Sequence, residues 1–169
     1  MTTYESLTAG KPWRQLQVQM KTINLTTYID APVQICFDLA RNIDAHQLST
    51  STTKVKAIAG RVSGLCEEGD VITWQASHFG IKQKLTVKIT KVEPFLYFEN
   101  EMVKGAFSSM NHKHSFEVDK TGTKMKDEFT FSTPLGIFGS FAEKLFLTKY
   151  LTNFLKERNR KLKSSAEAN

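Results

Sequence analysis

The sequence contains no hydrophobic run long enough to cross a bilayer, because its longest apolar stretches fall well short of the ~20 residues that a transmembrane helix needs. Its first residues, MTTYESLTAGKPW, have neither the basic start nor the apolar segment of a secretion signal. Cysteine is also scarce, and the two present, Cys36 and Cys66, show neither a metal-ligand spacing nor a disulfide framework. We therefore expect a cytoplasmic protein with no integral membrane association.

Phenylalanine, by contrast, is abundant. Twelve Phe occur among 169 residues, of which 40% are hydrophobic and 24% charged. A chain of this length usually forms one domain that buries about 70% of its unfolded surface. Aromatic side chains fill large spaces in cores or line apolar pockets. We predict a single domain over residues 16–166, preceded by an extended lead-in over residues 1–15.

Positive charge is in excess, with a formal net charge of +6, and it is concentrated near the C-terminus, where residues 156–163 read KERNRKLK. Cations suit the negative pole of a helix dipole, so a solvated helix end is the simplest interpretation. A surface for nucleic acid or for lipid headgroups is the alternative. Because no aromatic side chain that could stack on bases is interleaved with these charges, we predict that the protein does not bind nucleic acid.

Alternating polar and apolar residues predict that most of the chain forms strands. The first covers residues 17–29, and six more follow at 54–59, 70–77, 82–92, 97–103, 108–118 and 123–131. After the first strand, Asp30-Ala31-Pro32 begins a short helix over residues 33–40, and a second covers 43–48. An apolar stripe from residue 140 to about residue 163 predicts one long helix.

Short links between consecutive strands indicate an antiparallel meander. A sheet with one apolar face must cover that face, and only the final helix is long enough to do so. The predicted fold class is therefore α+β, a seven-stranded curved antiparallel sheet wrapped around a long C-terminal helix, with two short helices after the first strand. Because a sheet curled around one helix closes imperfectly, we expect a cavity between them.

Strand parity places four polar side chains on the inner, Phe- and Met-rich face of the sheet, namely Asn100, His112, His114 and Asp127. If the last hairpin turns at residues 120–121, His114 lies opposite Asp127, with their Cβ atoms ~4.5–5.5 Å apart. A buried carboxylate without a partner is costly. We therefore predict a contact between His114 and Asp127.

These polar groups have several interpretations. They form a buried network that only fixes the strand register, or they orient a small ligand in an apolar pocket. In a third interpretation, His114 and Asp127 act as an acid–base pair with His112 as the partner acid. No Ser or Cys can be placed beside the histidines, which disfavours covalent catalysis. A two-histidine, one-carboxylate metal site is also conceivable, but the histidines have better hydrogen-bond uses, so we predict no metal and no cofactor.

Alternate loops of a meander lie at the same end of the sheet, and three such loops carry apolar residues that either line the mouth of the cavity or plug it. These residues are Phe79, Phe107, Leu135, Ile137 and Phe138. Behind this mouth we predict a ligand that contacts inward side chains of the sheet and of the long helix. The predicted contacts are Trp74, His78, Asn100, Met102, Met110, His112, His114, Asp127, Phe129, Phe131, Phe141 and Leu145.

Several stretches carry a resemblance to a known superfamily. They are TWQASHFG at 73–80, GAF at 105–107, HKHSF at 112–116, GTKMKD at 122–127, PLGIFG at 134–139 and ERNR at 157–160. With the order of elements, they resemble the SRPBCC superfamily of START-like, birch-pollen-allergen-like helix-grip proteins, over residues 22–166. Within it they are similar to a bacterial subgroup variously labelled ligand-binding, polyketide cyclase-like or cell-division proteins.

The resemblance implies a helix-grip fold whose sheet–helix cavity binds lipids, sterols, quinones, hormones or polyketides, with a minority of members acting as cyclases or hydrolases. The family's usual asparagine or aspartate before the GAF stretch corresponds to Asn100. We therefore expect binding of a hydrophobic small molecule (lipid, quinone or polyketide-like) rather than enzymatic activity. A polyketide cyclase- or dehydratase-like enzyme using His114 and Asp127 is the alternative. The oligomeric state is left open.

Overall fold

The chain runs through one strand, two short helices, six strands and a long helix, as its sequence predicts. The structure is a computed structural model that describes residues 20–50, 53–78, 80–120, 122–133 and 141–168, with side chains from residue 145 onward in the last range. The predicted lead-in over residues 1–15 lies outside the described residues.

All the predicted elements are present, with ends displaced by a few residues. The two short helices are α1 (Val33–Arg41) and α2 (Ile43–Ser49), and the long helix is α3 (Phe141–Glu167). The strands are β1 (Lys21–Ile29), β2 (Lys56–Gly60), β3 (Val71–His78), β4 (Ile81–Glu93), β5 (Tyr97–Lys104), β6 (Ser109–Asp119) and β7 (Gly122–Ser132).

The strands form one seven-stranded antiparallel sheet in the order β1-β7-β6-β5-β4-β3-β2. Strands β2 to β7 pair with their neighbours in sequence, as a meander requires. Only β1 joins out of order, pairing along its whole length with β7. The curved sheet and the long helix confirm the predicted helix-grip class.

The register of the last hairpin decides which side chains of β6 and β7 meet. His114 pairs with Asp127, and His112 with Phe129, as predicted from a turn at residues 120–121. Lys120 adopts a left-handed conformation in this turn, with φ of 54°. A Cβ on Gly122 would lie 2.3 Å from the carbonyl oxygen of Ile29, so only glycine lets the end of β1 approach the hairpin this closely.

The apolar interior divides into two clusters. One lies between α1 and strands β5 to β7, where the ring of Phe37 makes edge contacts with Phe98 at 6.0 Å and Phe116 at 5.4 Å between centroids. The other lines the space between the sheet and α3, and includes Ile72 and Leu155. The first cluster packs around the ring of Phe37, and the second surrounds the cavity described below.

Helix α3 packs against β1, α1 and α2. Within the part of the chain that the structure describes, no helix is both long and apolar enough to cross a membrane.

We predict that Phe37→Ala lowers the free energy of unfolding by about 3–5 kcal/mol, because it leaves a void among packed aromatic rings. Chemical denaturation measures the loss. The matched control is Leu96→Ala, at a position that is 57% exposed, for which we expect a change within about 0.5 kcal/mol. Equal losses in the two variants would contradict the close packing of this cluster.

Candidate functional site

The sheet and α3 enclose a cavity of about 480 Å³. This volume falls within the ~300–1,000 Å³ typical of small-molecule sites. Strands β3 and β4 supply much of the apolar wall, through side chains such as Ile72, Leu85 and Val87. Helix α2 contributes His46, whose ring lies 4.5 Å from that of Trp74 between centroids. The space predicted between sheet and helix is therefore a cavity and not a filled core.

Many of the predicted ligand contacts do line this cavity. They are Trp74, His78, Asn100, Phe107, Met110, His112, His114 and Phe129. Helix α3 adds cavity residues that the sequence interpretation did not name: Phe146, Leu147, Tyr150, Leu151, Phe154, Leu155 and Arg158.

The predicted contact at Leu145 is wrong, because its side chain is 57% exposed and does not line the cavity. Successive residues of a helix are ~100° apart, so Leu145 points almost opposite to Leu147, which does line the cavity. The helical stripe was therefore assigned to the wrong face at its N-terminal end.

Three other predicted contacts stand behind the cavity wall. Met102 and Phe131 pack in the surrounding core, and Asp127 lies beneath the histidines.

At the predicted mouth, Phe107 makes contacts with Phe129 at 6.3 Å and Phe131 at 5.5 Å between ring centroids. Phe79, Leu135, Ile137 and Phe138 lie outside the described residues, as does the side chain of Phe141.

The carboxylate of Asp127, 1% exposed, is the centre of a buried polar cluster. From the sheet, His112 donates from Nε2 to Oδ1 at 3.0 Å. From α3, Asn159 donates from Nδ2 to Oδ2 at 2.6 Å, and Arg158 donates from Nη1 to Oδ1 at 3.4 Å. The same carboxylate therefore ties the helix to the inner face of the sheet.

The predicted closeness of His114 and Asp127 is confirmed, since Nδ1 of His114 lies 2.7 Å from Oδ1 of Asp127. The contact nevertheless falls outside hydrogen-bond geometry, and the imidazole that donates a hydrogen bond to this oxygen is that of His112 instead. Asn100 makes a long bond from Nδ2 to the backbone oxygen of His112, at 3.5 Å. The predicted register correctly placed His114 opposite Asp127. Which of the two imidazoles donates the hydrogen bond depends instead on how the side chains are oriented.

The solvated helix end expected for residues 156–163 is wrong for two of them. Arg158 is 3% exposed and Asn159 is 2% exposed, because both face the sheet and bind Asp127. Their spacing from the buried Leu155 (three and four residues) is the signal that could have found them. Glu157 and Arg160 do form an exposed ion pair, so that part of the interpretation holds.

Burial sets the charge of the cluster. Desolvation, together with the nearby His112 and Arg158, lowers the pKa of His114 to about 3. Desolvation also lowers the pKa of His112, although Asp127 opposes it. Burial alone would raise the pKa of Asp127, but the imidazoles of His114 and His112 bring it well below its usual value. At neutral pH the cluster thus holds neutral imidazoles, one carboxylate and one guanidinium, with no net charge.

Metal-ligating atoms also meet here, since one such atom from each of His112, His114 and Asp127 lies within 4.8 Å of the others. Two imidazoles and a carboxylate are a familiar iron-binding set. The guanidinium of Arg158 already places a positive charge 3.4 Å from Oδ1 of Asp127, and Asn159 occupies the other oxygen. The arrangement therefore favours an ion pair over a metal site.

A second polar contact lies at the other end of the cavity. Nδ1 of His78, at the end of β3, lies 2.7 Å from the hydroxyl oxygen of Tyr150 on α3. Both residues line the cavity. This hydrogen bond also joins the sheet to the helix, as do bonds from Asn159 to the hydroxyl of Thr27 and from Lys163 to the backbone oxygen of Tyr28 on β1.

We predict that stability falls as the pH drops from about 6.5 towards 5. The unfolded imidazoles take up protons near pH 6.5, whereas folded His114 resists protonation down to about pH 3, so acid favours the unfolded state. His114 alone should lower the free energy of unfolding by about 1.4 kcal/mol for each pH unit below about pH 6.5. Burial lowers the pKa of His112 as well, and the depressed pKa of Asp127 acts in the same direction at lower pH.

Denaturation curves recorded at several pH values measure this slope. In the variant His114→Gln, the free energy of unfolding should depend less steeply on pH, by about 1.4 kcal/mol per pH unit, which corresponds to one proton fewer taken up on unfolding. This difference should appear whatever the variant's stability at neutral pH. An unchanged slope would contradict the buried neutral state of His114.

Comparison with solved structures places the fold among known proteins. The Zhui aromatase/cyclase from a Streptomyces species aligns with a TM-score of 0.71 at 12% identity, covering 88% of this chain and 94% of that one. TTHA0849 from Thermus thermophilus aligns at 0.68 and 17% identity, with 86% and 99% covered. A major latex-like protein from Panax ginseng aligns at 0.62 and 12% identity, with 87% and 97% covered. Such low identities show the fold alone.

No curated protein has significant sequence similarity to the chain. A family model does match, over residues 20–167, and its description is polyketide cyclase / dehydrase and lipid transport. This match, with the helix-grip architecture, confirms the predicted SRPBCC superfamily. The chain belongs to the polyketide cyclase / dehydrase and lipid transport family.

Proposed function

We propose that the protein binds a hydrophobic small molecule, such as a lipid, a quinone or a polyketide-like compound, in the cavity between the sheet and α3. The observation that carries the proposal is the cavity of about 480 Å³ with a mainly apolar lining. Protein interiors are normally packed as densely as organic crystals. An apolar ligand would supply the missing contacts, and burial of apolar surface would provide most of its affinity.

Polar groups at the cavity wall support an oriented ligand. His112, Asn100 and Arg158 line the cavity, and Nε of Arg158 has no hydrogen-bond partner among the described residues. Because the charges of Arg158 and Asp127 already balance, a neutral oxygen acceptor such as a carbonyl adds no unpaired buried charge. The proposed ligand is therefore an apolar molecule with a carbonyl, quinone or ester oxygen at its polar end.

An enzymatic function of the polyketide cyclase or dehydratase type is the second candidate. The family description and the name of the Zhui aromatase/cyclase support it, as does the hydrogen bond of 3.0 Å between His112 and Asp127 at the cavity wall. A general base works best when its pKa lies near the operating pH, and the pKa of His114 is lowered to about 3. Burial lowers the pKa of His112 as well, although Asp127 opposes this effect. His112 is therefore the better candidate for the base in such an enzyme, and binding remains the stronger proposal.

We also propose a cytoplasmic location. Cys36 and Cys66 are both buried and unpaired, and free thiols are typical of a reducing compartment.

Native mass spectrometry of the protein purified from its expression host tests the binding proposal directly. We expect a bound apolar compound, released by organic solvent, at up to one molecule per chain. A protein that is free of ligand and that binds neither the neutral dye N-phenyl-1-naphthylamine nor a simple naphthoquinone would contradict the proposal.

We predict that Ala76→Phe abolishes binding by filling the cavity, which Ala76 lines. Since the new ring enters open space, the variant should avoid the cost of about 1–3 kcal/mol that overpacking causes in a filled core. The matched control is Ser77→Phe, one residue along β3, because alternate side chains of a strand face opposite sides and Ser77 does not line the cavity. Binding is measured by fluorescence titration with the neutral dye N-phenyl-1-naphthylamine. Equal loss of binding in both variants would contradict the assignment of Ala76 to the cavity wall.

A further inference from the structure

The rim of the cavity carries large apolar side chains that are open to solvent. Ile81, at the start of β4, is 64% exposed, and Phe146, in α3, is 58% exposed. Both also line the cavity. Leu145, 57% exposed, lies beside Phe146 on the helix but outside the cavity. Exposed apolar side chains that gather in this way mark an interaction surface.

The hydrogen bond between His78 and Tyr150 places Ile81 and Phe146 at the same end of the cavity, with Leu145 on the adjoining outer side of α3. Ile81 pairs with His78 across the β3–β4 hairpin. Tyr150, whose hydroxyl oxygen lies 2.7 Å from Nδ1 of His78, follows Phe146 by about one helical turn. The hairpin tip and the first turns of α3 therefore meet at the same end of the cavity.

This rim surface is also basic. Lys82, Lys84 and Lys149 are exposed, and none of them pairs with an acidic side chain in the described part of the chain. Residues 71–92 contain no Asp or Glu, and neither do residues 145–156. Glu143 is followed at once by Lys144, so this pair adds no net charge. Most acids of the protein lie elsewhere, so the rim has a local excess of positive charge.

We propose that the rim surface, formed by Ile81, Leu145, Phe146, Lys82, Lys84 and Lys149, docks on an anionic lipid bilayer. Apolar side chains inserted at the headgroup boundary and lysines facing anionic headgroups are the two components of peripheral membrane binding. A bilayer fits this surface better than a second copy of the chain. A two-fold symmetric contact would bring the lysines of one copy against those of the other.

Docking in this orientation places the opening of the cavity against the bilayer. An apolar molecule would then pass between cavity and membrane without crossing bulk water, which the hydrophobic effect opposes. The docking itself requires no ligand, so it stands or falls separately from the proposed binding function.

Co-sedimentation of the full chain with vesicles tests the proposal. We expect binding to vesicles made of equal parts phosphatidylcholine and phosphatidylglycerol, little binding to phosphatidylcholine alone, and loss of binding at high salt. Lys82→Gln and Lys149→Gln should each lower the partition coefficient about five-fold, since one basic residue near an anionic surface contributes about 1 kcal/mol. Leu145→Ser should lower it as well.

Two controls lie at the opposite end of the sheet. Lys120→Gln removes one exposed lysine from the turn between β6 and β7, and Leu96→Ser removes a leucine that is 57% exposed, as Leu145 is. Neither control should change the partition coefficient. Lys82→Gln should keep the cavity's affinity for the neutral dye N-phenyl-1-naphthylamine, because Lys82 does not line the cavity.

The proposal is overturned if both vesicle types bind equally, if neither binds, or if the controls lose as much binding as the rim variants. It is also overturned if light scattering shows a dimer that Leu145→Ser dissociates, since the surface would then serve a second copy.

Discussion

The buried carboxylate of Asp127 is the interaction on which the arrangement of sheet and helix depends. It accepts hydrogen bonds from His112 on β6 and from Arg158 and Asn159 on α3, so one side chain joins the two layers. Removal of one partner from a buried ion pair leaves an uncompensated charge, which costs several kcal/mol. The rotation of α3 about its own axis is therefore fixed at this point, and with it the set of helix residues that face the cavity.

The same pairing determines what the cavity can accept. Because Arg158 neutralises Asp127, and burial keeps the imidazoles of His112 and His114 uncharged, the polar end of the cavity is rich in hydrogen-bonding groups but has no net charge. A site of this kind discriminates through hydrogen bonds to oxygen and not through ion pairing. Its chemistry is consistent with the apolar wall that surrounds it, since neither favours a fully charged ligand.

The sequence predicted the sheet well and the helix less well, for physical reasons. A strand has only two faces, so alternation along β6 and β7 and one turn at residues 120–121 placed His112, His114 and Asp127 together on the inner face. A helix has a continuous range of orientations, and charged residues usually mark its solvent side. Arg158 breaks that rule only because Asp127, distant in sequence, faces it. Which imidazole binds the carboxylate, and where Leu145 points, depend on side-chain packing that no local pattern encodes.

The cavity itself follows from where two of the polar contacts between α3 and the sheet lie, one at each end of the cavity. Tyr150 bonds to His78 at one end and Arg158 bonds to Asp127 at the other, and these helix positions are ~12 Å apart at the rise of an α-helix. Both ties hold the helix at a fixed distance from the sheet. Between them lie the apolar side chains of Leu151, Phe154 and Leu155, which do not fill the gap. The helix cannot move inward to close the space without disrupting one of these two contacts, so the polar contacts that secure the fold also keep its interior open.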